Sequence, residues 1–384
     1  MDPIATPLCE RPPLAQVQTR VRRLAVRDFR NYQRAALAPD AGVVVLYGAN
    51  GAGKTNLLEA LSLLAPGRGL RGARLAQLDR RDGGAFHIQA EIRTAEGLED
   101  VAIAHERAGR RRVVRFADGV PRPAGALARL PGILWATPEM DRLFADAPAA
   151  RRRFLDRLVL ALDGRHADRV AAYERALRER AHLLRSGCRD EAWLAVLERR
   201  MAETAVAVAA ARRELVAILG RELAHSRAGF PAARLGLRGE IEEALEGRSA
   251  IAVEDWMCEE LRRARPVDAE SGGASVGPHR SDLQVATAAG EPAGSCSTGG
   301  QKALLLAMLL AQTRIVRAYA GSAPILLLDE ATAHLDPARR AALFETLVEL
   351  EGQAWVSGTE RSLFRELEGR ARFFRIHEAK LYEE

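Results

Sequence analysis

The chain has 384 residues, 48% of them hydrophobic, which is enough for two domains or for one domain with a large insertion. No apolar run has the length of a membrane-spanning helix, and the proline-bearing start lacks the features of a signal peptide, so residues 1–19 are predicted to be a disordered tail. The formal net charge of +6 allows nucleic acid binding, although an arginine-rich composition with lysine only at Lys54, Lys302 and Lys380 explains it equally well. The four cysteines are scattered without metal-binding spacing, which favours a reduced, cytoplasmic protein.

The first predicted elements lead to a phosphate-binding loop. Residues 21–28 alternate like an edge strand, and residues 42–47 form a β-branched run typical of a buried strand. The pattern G-x4-G-K-T follows and opens a helix over about 54–64, the context that this motif requires. The ammonium group of Lys54 would neutralise the β- and γ-phosphates of ATP, and the Thr55 hydroxyl would bind Mg²⁺. The predicted nucleotide-binding residues are Gly48, Ala49, Asn50, Gly51, Ala52, Gly53, Lys54 and Thr55.

The middle of the chain changes character twice. Strand-like pieces at 86–92, 101–105 and 112–116, with a turn at Asp118-Gly119, predict a small antiparallel sheet. Apolar residues then recur at helical spacing from 138 to about 265, without the sustained heptads of a long coiled coil. We therefore predict a discontinuous ATPase lobe, 20–137 and 271–384, interrupted by a helical arm or second lobe, 138–270.

A second acidic element completes the predicted site. The apolar strand 325–328 ends in Asp329-Glu330, and a helix (337–350), a strand (354–356) and a final helix and strand follow. This order fits a parallel α/β core interrupted by an insertion. Asp329 would complete the Mg²⁺ shell and Glu330 would polarise water as a general base, so that Lys54, Asp329 and Glu330 form the predicted catalytic set.

A second helix start also suits an anion. Ser297-Thr-Gly-Gly-Gln301 runs directly into an apolar helix, whose free N–H groups and dipole attract negative charge. The stretch resembles a motif of ABC-type ATPases. That resemblance implies that Ser297, Gly299 and Gln301 bind the γ-phosphate held by an opposite subunit, in a dimer with two-fold symmetry. Residues 333–336 lie where that family has a dimer-contact loop, and Thr359 stands where transporters carry a switch histidine.

Four stretches together resemble the RecF family of bacterial DNA replication and repair ATPases. They are Leu24–Tyr32, the continuation of the phosphate loop into Asn56–Glu59, Pro138–Asp141 with Arg151–Asp156, and Gly277–Leu283. The resemblance runs from about residue 21 onward. Two positions depart from the family pattern: Ser281 stands where an acidic residue is usual, and Gly300 lies where glutamate or glutamine is usual.

The resemblance implies a fold and a function. The fold is α/β: an ABC-type ATPase head related to SMC proteins, with a mixed sheet around the phosphate loop, an antiparallel sheet and an inserted helical lobe. Such proteins bind ATP, dimerise on double-stranded and gapped DNA without sequence specificity, and hydrolyse ATP slowly in a DNA-dependent manner. With RecO and RecR they help to load RecA in gap repair and the SOS response. By resemblance to SMC heads, Arg30 and Asn31 line the nucleotide.

The DNA-contacting surface and the function class stay open at this point. Arg151, Arg152 and Arg153 at the start of a helix are candidates for phosphate contacts, as are Arg68, Arg71 and Arg74. For any single one of them, a solvated helix face is the favoured interpretation. There are two alternatives to a DNA-dependent ATPase. One is the ATPase subunit of an ABC transporter, which the helical insertion and the missing switch histidine disfavour. The other is a nucleotide-dependent clamp with negligible hydrolysis.

Overall fold

The computed structural model describes residues 18–107, 111–187, 190–227 and 229–384. The strands are β1 (Arg20–Phe29), β2 (Tyr32–Leu37), β3 (Val43–Tyr47), β4 (His87–Thr94), β5 (Gly97–Glu106), β6 (Arg111–Arg115), β7 (Ile133–Ala136), β8 (Ala233–Arg238), β9 (Asp282–Thr287), β10 (Ile325–Leu328), β11 (Ala354–Gly358), β12 (Arg372–His377) and β13 (Lys380–Glu383). The helices are α1 (Lys54–Ser62), α2 (Leu75–Leu78), α3 (Pro148–Leu160), α4 (His166–Arg185), α5 (Glu191–Glu222), α6 (Glu240–Ala244), α7 (Ala250–Arg263), α8 (Arg265–Ser271), α9 (Thr298–Ala320) and α10 (Pro337–Glu349). Of the predicted disordered tail, residues 1–17 lie outside the described part of the chain, and Thr19 is buried.

The chain divides into two compact units, and their boundaries differ from the prediction. The first unit extends to Arg142 and takes in His225–Ala232 and Ser297–Glu384, while the second comprises Leu143–Ala224 and Ala233–Cys296. The predicted end of the inserted lobe is residue 270. The structure extends it to Cys296 because β9 pairs antiparallel with β8, a strand within the stretch that was predicted to be helical. The local sequence of a strand does not show which distant strand it pairs with, so this boundary could not be predicted.

A six-stranded sheet of order β13-β12-β3-β11-β10-β7 forms the centre of the first unit. Strands β12, β3, β11, β10 and β7 are parallel neighbours, and β13 is an antiparallel edge. Every residue of β3, β7, β10 and β11 is buried, as expected for parallel strands that are covered on both faces. The carboxyl ends of β3, β10 and β11 therefore lie side by side, which positions the site described below.

A second, antiparallel sheet of order β2-β1-β4-β5-β6 belongs to the same unit. The apolar residues Val21, Leu24, Val26 and Phe29 of β1 are buried, with a register shift after Val21, as in a strand with one face on the core. Residues from this sheet, from α1 and from the central sheet share one hydrophobic core, to which Phe29, Leu57 and Val44 each contribute a fully buried side chain. The predicted mixed sheet with an added antiparallel sheet is thus the architecture observed.

Helix α9 is the apolar helix that follows the second predicted anion site. By length and composition it could cross a membrane, but 72% of its most apolar window is buried inside the molecule. A largely apolar helix that is mostly buried is typical of the core of a globular unit.

The second unit is built around the 32-residue helix α5. Helices α4, α6 and α7 pack on α5 through a core that includes Met201, Ala205 and Met257. Near the start of α5, the fully buried guanidinium of Arg180 donates to Glu198 at 3.0 Å and to Asp268 at 2.7 Å. Since both carboxylates are buried as well, this ion group is an internal crosslink between α4, α5 and α8.

Candidate active site

The phosphate loop leaves the end of β3 in a shape that only glycine permits at two positions. Gly48 has φ 150°, and a Cβ there would lie 2.1 Å from the carbonyl oxygen of Ile376. Gly53 has φ 124°, and its Cβ would lie 2.4 Å from the hydroxyl of the buried Tyr32. The loop is therefore held between β12 on one side and the first β-hairpin on the other, with its backbone in a fixed curve.

Lys54 begins α1 and folds back over the loop. Its Nζ donates to the carbonyl oxygens of Gly48 at 2.7 Å and Ala49 at 3.0 Å. Burial lowers the pKa of Lys54, while the nearby charges of Glu330 and Asp329 oppose that shift. An ammonium group held by neutral carbonyl oxygens and partly stripped of water is suited to receive a polyphosphate, since it can exchange those weaker partners for charged oxygens.

Thr55 and Asp329 meet across the sheet edge, as the sequence predicts for a Mg²⁺ site. The Thr55 Oγ1 donates to Asp329 Oδ2 at 2.8 Å. The other carboxylate oxygen, Oδ1, accepts a hydrogen bond of 2.6 Å from the hydroxyl of Ser357. A hydroxyl and a carboxylate beside a phosphate loop are the hard oxygen donors that Mg²⁺ prefers, so the residues present fit this ion.

Ser357 is a site residue that the sequence analysis missed. In the parallel register Val356 lies opposite Leu328, so the next residues, Ser357 and Asp329, are neighbours. The Ser357 hydroxyl is buried, donates to Asp329 and accepts from the backbone N–H of Glu330 at 3.0 Å. One side chain thus orients both predicted acidic residues. A lone serine inside a strand carries no motif, and only the strand order reveals its position.

Glu330 adopts an uncommon backbone conformation for its type, with φ 49°. Its carbonyl oxygen accepts a 3.1 Å hydrogen bond from the ammonium of Lys302, which also lies 3.2 Å from Asp141. Lys302 is almost fully buried in the first turns of α9. This second missed residue had one available signal, because it is one of only three lysines in the chain.

Arg30 and Asn31 lie beside the phosphate-loop helix, in two different roles. Asn31 donates to the carbonyl oxygen of Ala52 in the loop at 3.3 Å and accepts from Asn56 at 2.7 Å. Arg30 instead holds the fully buried carboxylate of Glu59 with two hydrogen bonds of 2.7 Å. Asn31 is therefore in contact with the loop, whereas Arg30 contacts the helix more than one turn further on. Their predicted contact with nucleotide stays a prediction.

The predicted trans motif forms a separate group at the start of α9. Ser297 is exposed and caps the helix, its Oγ accepting from the N–H of Gly300 at 3.2 Å. A Cβ on Gly299 would lie 3.1 Å from the carbonyl oxygen of His334, in the stretch predicted to be a dimer-contact loop. Gln301 is largely buried. The structure thus brings Lys54, Thr55, Asp329 and Glu330 together and places Ser297 and Gly299 at an exposed helix start.

The three arginines predicted to contact DNA have different surroundings. Arg151 donates to the carboxylate of Asp282 at 2.7 and 2.9 Å, and Arg152 donates to the carbonyl oxygen of Ser281 at 2.7 Å. Both guanidinium groups thus hold β9 against α3 within the second unit, which is a structural use of the charge. Arg153 is exposed, and its predicted DNA contact stays a prediction.

The fold and these residues define a P-loop ATPase head of the ABC and SMC class. A family model described as "AAA domain, putative AbiEii toxin, Type IV TA system" matches residues 43–360. A solved structure described as "the recombination mediator protein RecF-ATPrS in RecFOR pathway" superimposes with a TM-score of 0.84 at 22% identity, covering 96% of this chain and 99% of that one. The Smc head domain of Pyrococcus furiosus gives a TM-score of 0.54 at 15% identity, with 96% of each chain covered. At these identities the likeness concerns the fold.

Curated relatives identify the family. The "DNA replication and repair protein RecF" of Mesorhizobium japonicum is 44% identical over 367 residues, which cover 94% of this chain and 96% of the relative. The protein of the same name from Caulobacter vibrioides is 45% identical over 374 residues, covering 93% and 96%. The chain belongs to the RecF family of DNA replication and repair proteins and is an ATP-binding ATPase. The alternative of a transporter subunit is not favoured.

Proposed function

We propose that this protein is an ATP-driven switch that binds gapped DNA as a dimer, at junctions of single and double strands, and helps to load RecA with RecO and RecR in gap repair and the SOS response. Family membership supports the repair role, and the solved relative is described as a recombination mediator in the RecFOR pathway. DNA binding, slow DNA-stimulated hydrolysis and a cytoplasmic location follow from that role.

One observation carries the dimer: the chain presents two helix starts suited to phosphate. The start of α1 supplies Lys54 and Thr55, and the end of β10 supplies Asp329 and Glu330, which together make a group suited to hydrolysis. The start of α9 has an exposed serine and glycines but is not part of that group. In a two-fold dimer the exposed start of one α9 would face the nucleotide on the other chain, and each chain would complete its partner's site.

Within one chain, each residue has a defined task. Lys54 turns from the loop carbonyls to the β- and γ-phosphates, and the curved loop offers its N–H groups to the same oxygens. Thr55 and Asp329 would hold Mg²⁺, which when bound neutralises phosphate charge. Glu330 accepts a proton from the attacking water, and Ser357 keeps its backbone and the Asp329 carboxylate in place.

The switch follows from differential binding of the two nucleotide states. With ATP, the γ-phosphate is shared between the loop of one chain and the α9 start of the other. After hydrolysis that shared group is gone, and the free energy that favoured the closed dimer is lost with it. A clamp with negligible hydrolysis would share the dimer but lack turnover, and the presence of Glu330 beside the Mg²⁺ ligands favours turnover.

The test is sedimentation of Glu330→Gln with ATP and Mg²⁺, with and without a gapped duplex. The amide keeps the size of the side chain but removes the base, so we expect an ATP-dependent dimer that persists for much longer than that of the wild type. The matched control, Lys54→Met, should stay monomeric because it lacks the phosphate-binding ammonium. A Glu330→Gln variant that remains monomeric in every condition would refute the switch.

A further inference from the structure

A charged cavity lies in the first unit, and of its lining residues only Arg30 is among those predicted to contact ATP. Its volume is about 770 Å³, and its walls come from the turn between β1 and β2, from residues 71–83 around α2, and from the end of β5. This volume falls within the range of about 300–1,000 Å³ that is typical of ligand sites. The lining differs from that of most small-molecule sites, since seven of its twelve residues are charged.

Five arginines line this cavity against two aspartates: Arg30, Arg71, Arg80, Arg81 and Arg107, with Asp79 and Asp82. The carboxylate of Asp79 is nearly buried and already accepts from His105, from Arg107 and from a backbone N–H. Four of the five arginines have carboxylate partners: Arg107 pairs with Asp79, Arg30 and Arg71 pair with Glu59, and Arg80 lies 4.0 Å from Asp28. The exposed Arg81 and the loosely paired Arg80 are therefore the guanidinium groups best placed to meet a ligand. Arginine forks of this kind match the paired oxygens of phosphate groups.

The wall is held rigidly, as a binding site requires. The N–H of Arg30 donates to the carbonyl oxygen of Leu78 at 2.8 Å, and the N–H of Arg80 donates to that of Asp28 at 2.7 Å. The Arg30 guanidinium adds a bond of 2.9 Å to the carbonyl oxygen of Gln77. The α2 segment is thus fastened to the first hairpin by backbone bonds, which fix the position of Arg80 and of the neighbouring Arg81. The guanidinium of Arg80 also lies 4.0 Å from the carboxylate of Asp28.

We propose that this cavity binds the phosphodiester backbone of DNA and is the site through which DNA stimulates the ATPase. No aromatic residue is among the described residues that line it, so the cavity offers nothing on which a base could stack. Contacts through arginine alone recognise backbone phosphates independently of sequence. The inference rests on the proposed function in that the ligand is taken to be DNA.

The same arginines connect the cavity to the phosphate loop. Arg30 and Arg71 both bind the buried carboxylate of Glu59, and Arg71 also binds Asn56 at 2.8 Å. Glu59 and Asn56 lie on α1, which begins at Lys54. A DNA phosphate that binds Arg71 therefore weakens the ion pair between Arg71 and Glu59 on α1. Because coupling between two binding sites is reciprocal, ATP bound at the start of α1 also changes the affinity for DNA.

The experiment measures binding of a labelled gapped duplex by fluorescence anisotropy over a series of salt concentrations. The double variant R80S/R81S removes two charges from the cavity without touching the α1 contacts. We expect its affinity to fall at least about tenfold at about 100 mM salt and the slope of log affinity against log salt to shrink by about 1.8, since each phosphate contact contributes about 0.9. DNA stimulation of ATP turnover should fall in parallel.

The control R23S/R34S removes two exposed arginines from β1 and β2 of the same sheet, outside the cavity. It should keep the wild-type slope, and an equal loss in both variants would overturn the site, because net charge alone would then explain binding. The single variant R81S, at an exposed position, should show about half the change in slope if the double variant is poorly folded.

A second arm separates DNA from free polyphosphate. With the phosphate loop saturated by ADP, tripolyphosphate is titrated into the wild type and R80S/R81S. If the variant loses tripolyphosphate binding yet binds DNA like the wild type, the cavity takes a small anion and the proposal is wrong. If the wild type binds no DNA with any nucleotide, the proposed function fails as well. If the wild type binds DNA and R80S/R81S binds equally with the same slope, only this inference fails.

Discussion

The hydroxyl of Ser357 lies between the two acidic residues of the candidate active site. Its removal should lower the rate of ATP hydrolysis more than it lowers the free energy of unfolding. In Ser357→Ala the Asp329 Oδ1 loses a charge-assisted hydrogen bond of 2.6 Å, and the Glu330 N–H loses its acceptor at 3.0 Å. A hydrogen bond to a charged group contributes about 1.5–3 kcal/mol. If the activation free energy of hydrolysis rises by the whole of that amount, kcat falls by a factor of about 10–150.

The assay is steady-state ATP hydrolysis over a range of Mg²⁺ concentrations, with urea unfolding in parallel. Ser357→Ala should need more Mg²⁺ for half-maximal rate, because Asp329 is less well oriented, whereas Ser357→Thr should recover most of the rate through its retained hydroxyl. The matched control is Ser62→Ala. That buried serine also makes two hydrogen bonds, to the Glu59 carbonyl oxygen and from the Leu70 N–H, but contacts neither acidic residue. The reasoning is refuted if Ser357→Ala and Ser62→Ala lose the same free energy of unfolding and both keep kcat within twofold of wild type.

Three further predictions concern the loop, the buried lysine and a half-buried histidine. Gly48→Ala should lower the free energy of unfolding by at least about 2 kcal/mol in urea titrations and abolish ATP binding, because the new Cβ meets the Ile376 carbonyl oxygen; unchanged stability would contradict it. Lys302→Met should destabilise by about 3 kcal/mol and lower kcat, since it leaves a buried carboxylate without its cation; a variant as stable and active as wild type would be evidence against this. Burial lowers the pKa of His279 below its ordinary value of 6.5, so its neutral form favours folding and that stability is lost as pH falls below about 6.5; His279→Asn should flatten this slope in urea titrations at pH 5 to 7, and an unchanged slope would disprove the assignment.

The proximity of the phosphate loop and the acidic strand end is predictable from the sequence because each part is a local pattern. The buried run before Gly48 and the apolar run before Asp329 each place a polar residue at a strand end, and parallel strands share that edge. Each prediction needs only a dozen neighbouring residues. Ser357 and Lys302 escape such reasoning because their partners, Asp329 and Asp141, are brought near by strand order and helix packing alone.

The second unit shows the opposite case. Its helices are visible from their periodicity, but the pairing of β8 with β9 joins residues about 50 positions apart and moves the boundary to Cys296. Arg151 and Arg152 looked like a solvated basic cluster, and their internal partners on and before β9 could not be inferred without that pairing. The hydroxyl of Ser281 donates to the buried Glu242 at 2.6 Å, so the acidic residue that the resemblance implies at this position would place a second carboxylate beside it, and the two would repel each other.

The position of β3 between β11 and β12 has a consequence for how the protein is made. The strand that carries the phosphate loop is synthesised early, yet the strands on either side of it, residues 354–358 and 372–377, are synthesised more than 300 residues later. The oxygen of Ile376 that confines Gly48 arrives with them. On a ribosome that adds about 5–20 residues per second, the nascent ATP site must wait tens of seconds with its central strand unpaired. During that interval the chain is exposed to aggregation, and ATP cannot yet stabilise it, so its yield in cells should depend on chaperones more than its final stability suggests.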